Sequence, residues 1–151
     1  MRALGIDPGT VRVGLALSDP EGRLASPYEV LERTRDRPRL VRDIARIVAE
    51  EEVEVVVVGY PLSLDGSEGP AARSAVDEAR AVAAAVAVPV VLHDERFTTV
   101  TAHRLLAEAG LDERARRRVV DRAAAAVLLQ AWLDGGCPMT RRVAPPGDAE
   151  E

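Results

Sequence analysis

Small and polar residues alternate with larger apolar ones from Ala3 to Ser18, the period of a half-buried strand. Ala3, Gly5 and Asp7 fall on one face of a first strand and Leu4 and Ile6 on the other. Pro8-Gly9 makes a tight turn. Val13, Leu15 and Leu17 then alternate with Gly14, Ala16 and Ser18 as a second strand. After Glu21-Gly22 the segment from Leu24 to Leu31 predicts a third. Three short successive strands predict an antiparallel meander.

The period then changes. Asp36 suits a helix cap and Pro38 a first turn, and Leu40, Ile44 and Ile47 recur at helical spacing. Val53 to Val58 is nearly all β-branched, as in a central strand covered on both faces. Gly59-Tyr60-Pro61 stops it, and Ser63 to Gly69 is a polar loop able to reach a ligand. Pro70 opens a second helix, with Ala72, Val76, Ala79, Ala83 and Val86 as its inner stripe and Arg73, Asp77 and Arg80 toward water. Pro89 ends it, and Val90 to His93 begins another strand. Thr98 or Thr99 caps a helix to about Ala109, closed by Gly110. A last helix covers roughly Ala115 to Leu133 and stops at Gly135-Gly136.

The order βββαβαβαα predicts an α/β fold with a mixed five-stranded sheet and helices on both faces. Residues 1–140 read as one domain, and 141–151, with Pro, Gly and acidic residues and no periodicity, as a loose tail.

Composition narrows the chemistry. The chain has 151 residues and is 47% hydrophobic, enough for one packed core. Cys137 is its single cysteine, which excludes an intrachain disulfide framework and a cysteine-rich metal site. All 20 basic residues are arginine, so Schiff-base, Walker-lysine and Ser-Lys chemistry are excluded and any basic phosphate contact falls to Arg. The net charge of −5 does not by itself advertise nucleic-acid binding, although a local patch can. No apolar run reaches membrane-spanning length and no signal peptide is visible, so a cytoplasmic protein with no membrane partner is expected. Oligomeric state is left open.

Three acidic positions stand out. Asp7 ends the first strand, Glu95 follows the fifth in His93-Asp94-Glu95-Arg96-Phe97-Thr98-Thr99, and Asp121 lies in the last helix. Asp121 has apolar neighbours Val119, Val120 and Ala124, and its helical face includes Ala125 and Leu128, so it is expected to point toward the sheet. Burying it requires compensation, by a metal ion or by Arg117 or Arg118. Three convergent carboxylates suit Mg²⁺ or Mn²⁺, and a pair of such ions can activate water at a phosphodiester. Arg114, Arg116, Arg117, Arg118 and Arg122 form the best basic patch, facing either a nucleic-acid backbone or the acidic neighbours Asp112, Glu113 and Asp121. His93 and His103 read as structural, Tyr60 as framing the loop, and Trp132 as core or interface.

Four segments together resemble the YqgF/RuvX family. They are Gly5-Ile6-Asp7-Pro8-Gly9-Thr10 with Arg12-Val13-Gly14 and Ser18-Asp19; Val57-Val58-Gly59-Tyr60-Pro61-Leu62 with Asp65-Gly66-Ser67-Glu68-Gly69; Asp94-Glu95-Arg96-Phe97-Thr98-Thr99; and Asp121-Arg122-Ala123-Ala124-Ala125. They occur in the family's order over about residues 1–134. The resemblance implies a ribonuclease H-like fold. It also implies a nuclease maturing the 5′ end of the precursor of 16S ribosomal RNA, in a family historically described as Holliday-junction-resolvase homologues. Asp7, Glu95 and Asp121 match the family's acidic positions, implied to bind Mg²⁺ or Mn²⁺ for water attack. Gly9, Thr10, Arg12, Ser63, Arg96, Thr98, Arg117 and Arg118 are the implied substrate-binding positions. Ser63 stands where relatives often carry Asn, and Phe97 where they carry Leu. Precursor ribosomal RNA is the implied partner, with branched DNA and ribosomal particles also admitted. A resolvase-type DNA nuclease and a noncatalytic RNA-binding assembly factor are the alternatives. The first segment also resembles the phosphate loop of actin-type ATPases, but the chain is too short for the second lobe they need.

Overall fold

The computed structural model describes residues 1–9, 11–33, 36–96 and 113–147, with side chains omitted over 113–122. Strands β1 (Ala3–Pro8), β2 (Arg12–Ser18) and β3 (Ala25–Glu32) form the expected meander. Helix α1 (Arg37–Glu50) follows, then β4 (Val55–Tyr60), α2 (Pro70–Ala85), β5 (Val90–Asp94) and α3 (Glu113–Asp134). The helix expected between Thr98 and Ala109 lies outside the described residues.

The sheet order is β3-β2-β1-β4-β5. β1 is antiparallel to β2 and parallel to β4, and β4 is parallel to β5. The carboxyl ends of β1, β4 and β5 therefore open along one rim, where α/β sheets commonly bind ligands.

The two-residue period of β1 and β4 sorts their side chains onto opposite layers. Leu4, Ile6, Val56 and Val58 pack on one face beneath α1 and α2, with Ile44, Ile47, Ala79 and Val82. Ala3, Val55, Val57 and Val91 pack on the other beneath α3, with Ala125, Leu129 and Trp132. Asp7 is in step with Ala3 and Gly5, so its strand register assigns it to the α3 face. α3 comes very close to the sheet at Gly5. A Cβ there would lie 2.9 Å from Leu129 Cβ and 3.1 Å from the Ala125 carbonyl.

Local signals explain the ends of several elements. Asp36 accepts a hydrogen bond from the Arg39 N–H at 3.2 Å and caps α1 as expected. α3 stops where Gly136 takes φ +91 and the Cys137 N–H closes on the Trp132 carbonyl. Trp132 is a core residue, its indole N–H donating to the Pro138 carbonyl at 2.9 Å.

Two expectations differ from the structure. The buried stripe of α2 is Ala72, Ala75, Glu78, Ala79 and Val82; Val76, Ala83 and Val86 are only partly buried. The helix is rotated so that a carboxylate, Glu78, faces inward, and Arg33 meets it there. The chain from Arg141 onward, expected to be loose, begins by pairing with β5. Leu92 N–H donates to the Arg141 carbonyl at 2.9 Å and Val143 N–H to the Val90 carbonyl at 2.8 Å. These bonds satisfy an otherwise open sheet edge.

Candidate active site

Two carboxylates meet at the rim. Asp7 sits one residue from the end of β1, and Glu95 immediately follows β5. β4 lies between those strands, and its Gly59 leaves the space that Glu95 fills. A Cβ on residue 59 would overlap Glu95 Oε1 and lie 3.1 Å from its Cδ. The apolar valine run of β4 must thus end in a residue without a side chain for Glu95 to reach Asp7.

Glu95 shares a hydrogen bond with Asp7, and its acidity is strongly altered. Burial, then the Asp7 charge, push its pKa from the usual 4.5 to about 7. The pair thus keeps a proton near neutrality that separate carboxylates would lose.

The neighbouring Asp94 behaves differently. It is 5% exposed and accepts from Arg96 on both oxygens, Nε lying 3.0 Å from each and Nη2 2.6 Å from Oδ2. Those bonds hold its carboxyl below the ordinary carboxylate range. Arg96 also reaches toward the Leu64 carbonyl at 3.5 Å, linking the segment of Glu95 to the loop above it. That loop is ordered by its own bonds. Ser63 N–H donates to the Ser67 carbonyl at 3.0 Å, and Gly66 N–H to the Ser63 carbonyl at 2.8 Å. Tyr60 frames the loop, donating its hydroxyl to Glu68 while Arg141 lies 5.4 Å over its ring.

On the other side of Asp7, Gly9 N–H donates to the Asp7 carbonyl at 3.0 Å. The Gly9 carbonyl accepts from Arg33 Nε at 2.8 Å. Arg12 opens β2 and pairs with its cross-strand neighbour Glu32 at 3.4 Å, both side chains well exposed. Ser18 and Asp19 serve the β2–β3 turn, where Asp19 accepts from the N–H groups of Arg23 and Leu24. His93 is half-buried, and burial lowers its pKa. Burial raises that of the Cys137 thiol.

The third acidic position is on α3. Ala125 Cβ lies 3.5 Å, and Asp7 Cβ 3.8 Å, from where a Cβ of Gly14 would be. Residue 121 is one helical turn before Ala125, in the direction that leads from Gly5 toward the rim. The side chains of Asp121, Arg117 and Arg118 are outside the described residues, as are Thr10, Thr98, Phe97 and His103. Among the described residues no group of three or more His, Cys, Asp or Glu is arranged to hold a metal ion.

Arg33 and Glu78 escaped the sequence reading. Arg33 follows β3 in a run of arginines and acids without periodicity. Glu78 left a fainter signal, an acidic residue adjoining Ala75, Ala79 and Val82 on the helical face that turns inward.

A mixed five-stranded sheet of this order, helices on both faces and a carboxylate pair at the rim define the ribonuclease H-like α/β class. Residues 1–135 match the family described as "RuvX: Holliday junction resolvase", and the chain belongs to that family. A Mycobacterium leprae relative (strain TN), named "Putative pre-16S rRNA nuclease", is 50% identical over 151 residues, covering 99% of this chain and 79% of its own length. A Kineococcus radiotolerans relative of the same name is 53% identical over 135 residues, covering 87% of this chain and 70% of its own. In fold, the chain resembles Thermus thermophilus RuvC, solved with a Holliday junction substrate, at 18% identity and a TM-score of 0.64 over 95% of this chain and 99% of that one. Among the described residues no helix is long and apolar enough to cross a membrane.

Proposed function

We propose that this protein is a Mg²⁺- or Mn²⁺-dependent endonuclease that hydrolyses a phosphodiester in 5′-end processing of precursor 16S ribosomal RNA in the cytoplasm. The carrying observation is the Asp7–Glu95 pair, with Glu95 held near a pKa of 7, in a chain of the RuvX family. Two carboxylates held side by side repel one another when both are ionised. Their oxygen donors fit a hard divalent ion. Asp7 and Glu95 would hold it, with Asp121 as the third ligand from α3. Such an ion supplies charge stabilisation at the attacked phosphate and lowers the pKa of the attacking water.

The remaining roles belong to the chain's own groups. Asp7 is fixed by its strand register, and Glu95, which holds a proton near neutrality, would serve as a ligand in its ionised form. Arg96, committed to Asp94, orients the segment that carries Glu95 and supports the 63–69 loop. Gly9, Thr10, Arg12, Ser63 and Thr98 would be the substrate contacts, with Arg117 and Arg118 as backbone-binding cations.

The test compares wild type with Asp7→Asn, Glu95→Gln and Asp121→Asn on precursor ribosomal RNA, single-stranded RNA and four-way DNA, with and without Mg²⁺. Metal-dependent cleavage of the ribosomal precursor, lost in all three variants, is expected. Equal cleavage by wild type and variants would refute the site. Preference for four-way DNA would assign the chain to the resolvase chemistry of its family's description. Binding of the precursor without cleavage would make it an assembly factor.

A further inference from the structure

Beyond the carboxylates, a buried ion pair grips the turn that follows Asp7. Arg33 Nη1 and Nη2 donate to Glu78 Oε2 and Oε1 at 2.6 and 3.1 Å. The Glu78 side chain is only 3% exposed and that of Arg33 24%. The third face of the guanidinium, Nε, donates to the Gly9 carbonyl at 2.8 Å, and the Arg33 backbone N–H to the Val11 carbonyl at 2.9 Å. Arg33 therefore holds both sides of the turn joining β1 to β2, and Glu78 ties it to α2.

A buried ion pair is a poor device for stability alone, because desolvation offsets most of its attraction and apolar residues of similar size commonly serve as well. Its planar fork, however, fixes direction. Gly9, held by Arg33, is itself bonded to the Asp7 carbonyl at 3.0 Å, so the restraint runs from α2 through Glu78, Arg33 and Gly9 to Asp7.

We propose that Arg33, braced by Glu78, is a positioning residue that sets Asp7 against Glu95. The activity arm of this proposal rests on the nuclease reading above. Arg37, 4.0 Å from Glu78 and more exposed than Arg33, is its more distant partner.

The test removes both charges while keeping side-chain volume, in the Arg33→Met/Glu78→Met double variant. Its melting temperature is expected to stay within about 5 °C of wild type, since the apolar pair replaces the ionic one. Its kcat on precursor ribosomal RNA is expected to fall by about tenfold or more, with KM changed less than about twofold, because a misplaced carboxylate costs rate and not binding. Amide exchange is expected to rise in peptides from residues 5–13 and not in α3. Arg33→Lys, which restores the charge without the fork, should recover part of the rate. Glu78→Gln, which keeps shape and removes one charge, should fall between wild type and the double variant, and it carries the test should the double variant not fold. Wild-type kcat in a folded variant, or a rate loss without faster exchange at residues 5–13, overturns the proposal. Should wild type itself cleave no nucleic acid, the nuclease reading fails, and amide exchange alone still decides whether the brace holds the loop.

Discussion

Glu95→Gln should stabilise the protein while destroying its proposed activity, and the gain should depend on pH. Folding moves the Glu95 pKa from the usual 4.5 to about 7. Between those values the folded protein keeps a proton that the unfolded chain has released. Stability from this group is therefore fully present below about pH 4.5 and falls as pH rises to about 7. A pKa unit is about 1.4 kcal/mol, so a shift of this size corresponds to roughly 3 kcal/mol at most; solvent reaching the half-open rim reduces that to about 1–2 kcal/mol. Glutamine preserves the shape and carries no charge at any pH. At pH 8 the variant should melt roughly 3–6 °C above wild type, and at pH 4.5 the two should nearly coincide. Calorimetry across this range measures the difference directly. Saturating Mg²⁺ at pH 8 should raise the melting temperature of wild type and leave the variant nearly unchanged, because the ion relieves the same repulsion. A difference between the proteins that is constant from pH 4.5 to 8, or larger at acid pH, would refute the electrostatic account.

The same proton competes with the cation, so Mg²⁺ affinity measured by titration calorimetry should weaken as pH falls below about 7, approaching tenfold per unit, and Glu95→Gln should show no measurable binding at any of these pH values. Gly59→Ala should cost little stability, since the atom it displaces is the end of the flexible Glu95 side chain, yet reduce kcat by about 100-fold in the cleavage assay. Gly5→Ala meets the body of α3 and cannot be relieved so cheaply, so denaturant melts should show a loss of about 1–3 kcal/mol. Trp132→Ala, at a fully buried position, should cost about 3–5 kcal/mol by the same measurement.

The alternation of Ala3, Gly5 and Asp7 with Leu4 and Ile6 was enough to assign the faces of β1, because a two-residue period needs only the neighbouring side chains. The valines before Gly59 marked a central strand, and Asp36, Pro38, Pro70 and Gly136 marked helix ends, since caps and turns are local chemistry. Chain order and family motifs singled out Asp7, Glu95 and Asp121. The inward rotation of α2 was not legible in that way. Its alanines fit more than one stripe, and burial of Glu78 depends on an arginine from a distant strand end.

By itself, then, the sequence determined the described strands and helices and the mixed sheet, which follow from local periodicity and chain order, and the family motifs within it pointed to the acidic residues to examine. Only the tertiary structure decided that Glu95 occupies the space left by Gly59 and presses its proton against Asp7. It alone showed that Arg96 belongs first to Asp94, and that Arg33 and Glu78 hold the turn after Asp7. Each of these is a contact between segments far apart in the chain, and a pKa or a restraint exists only once packing has brought the charges together.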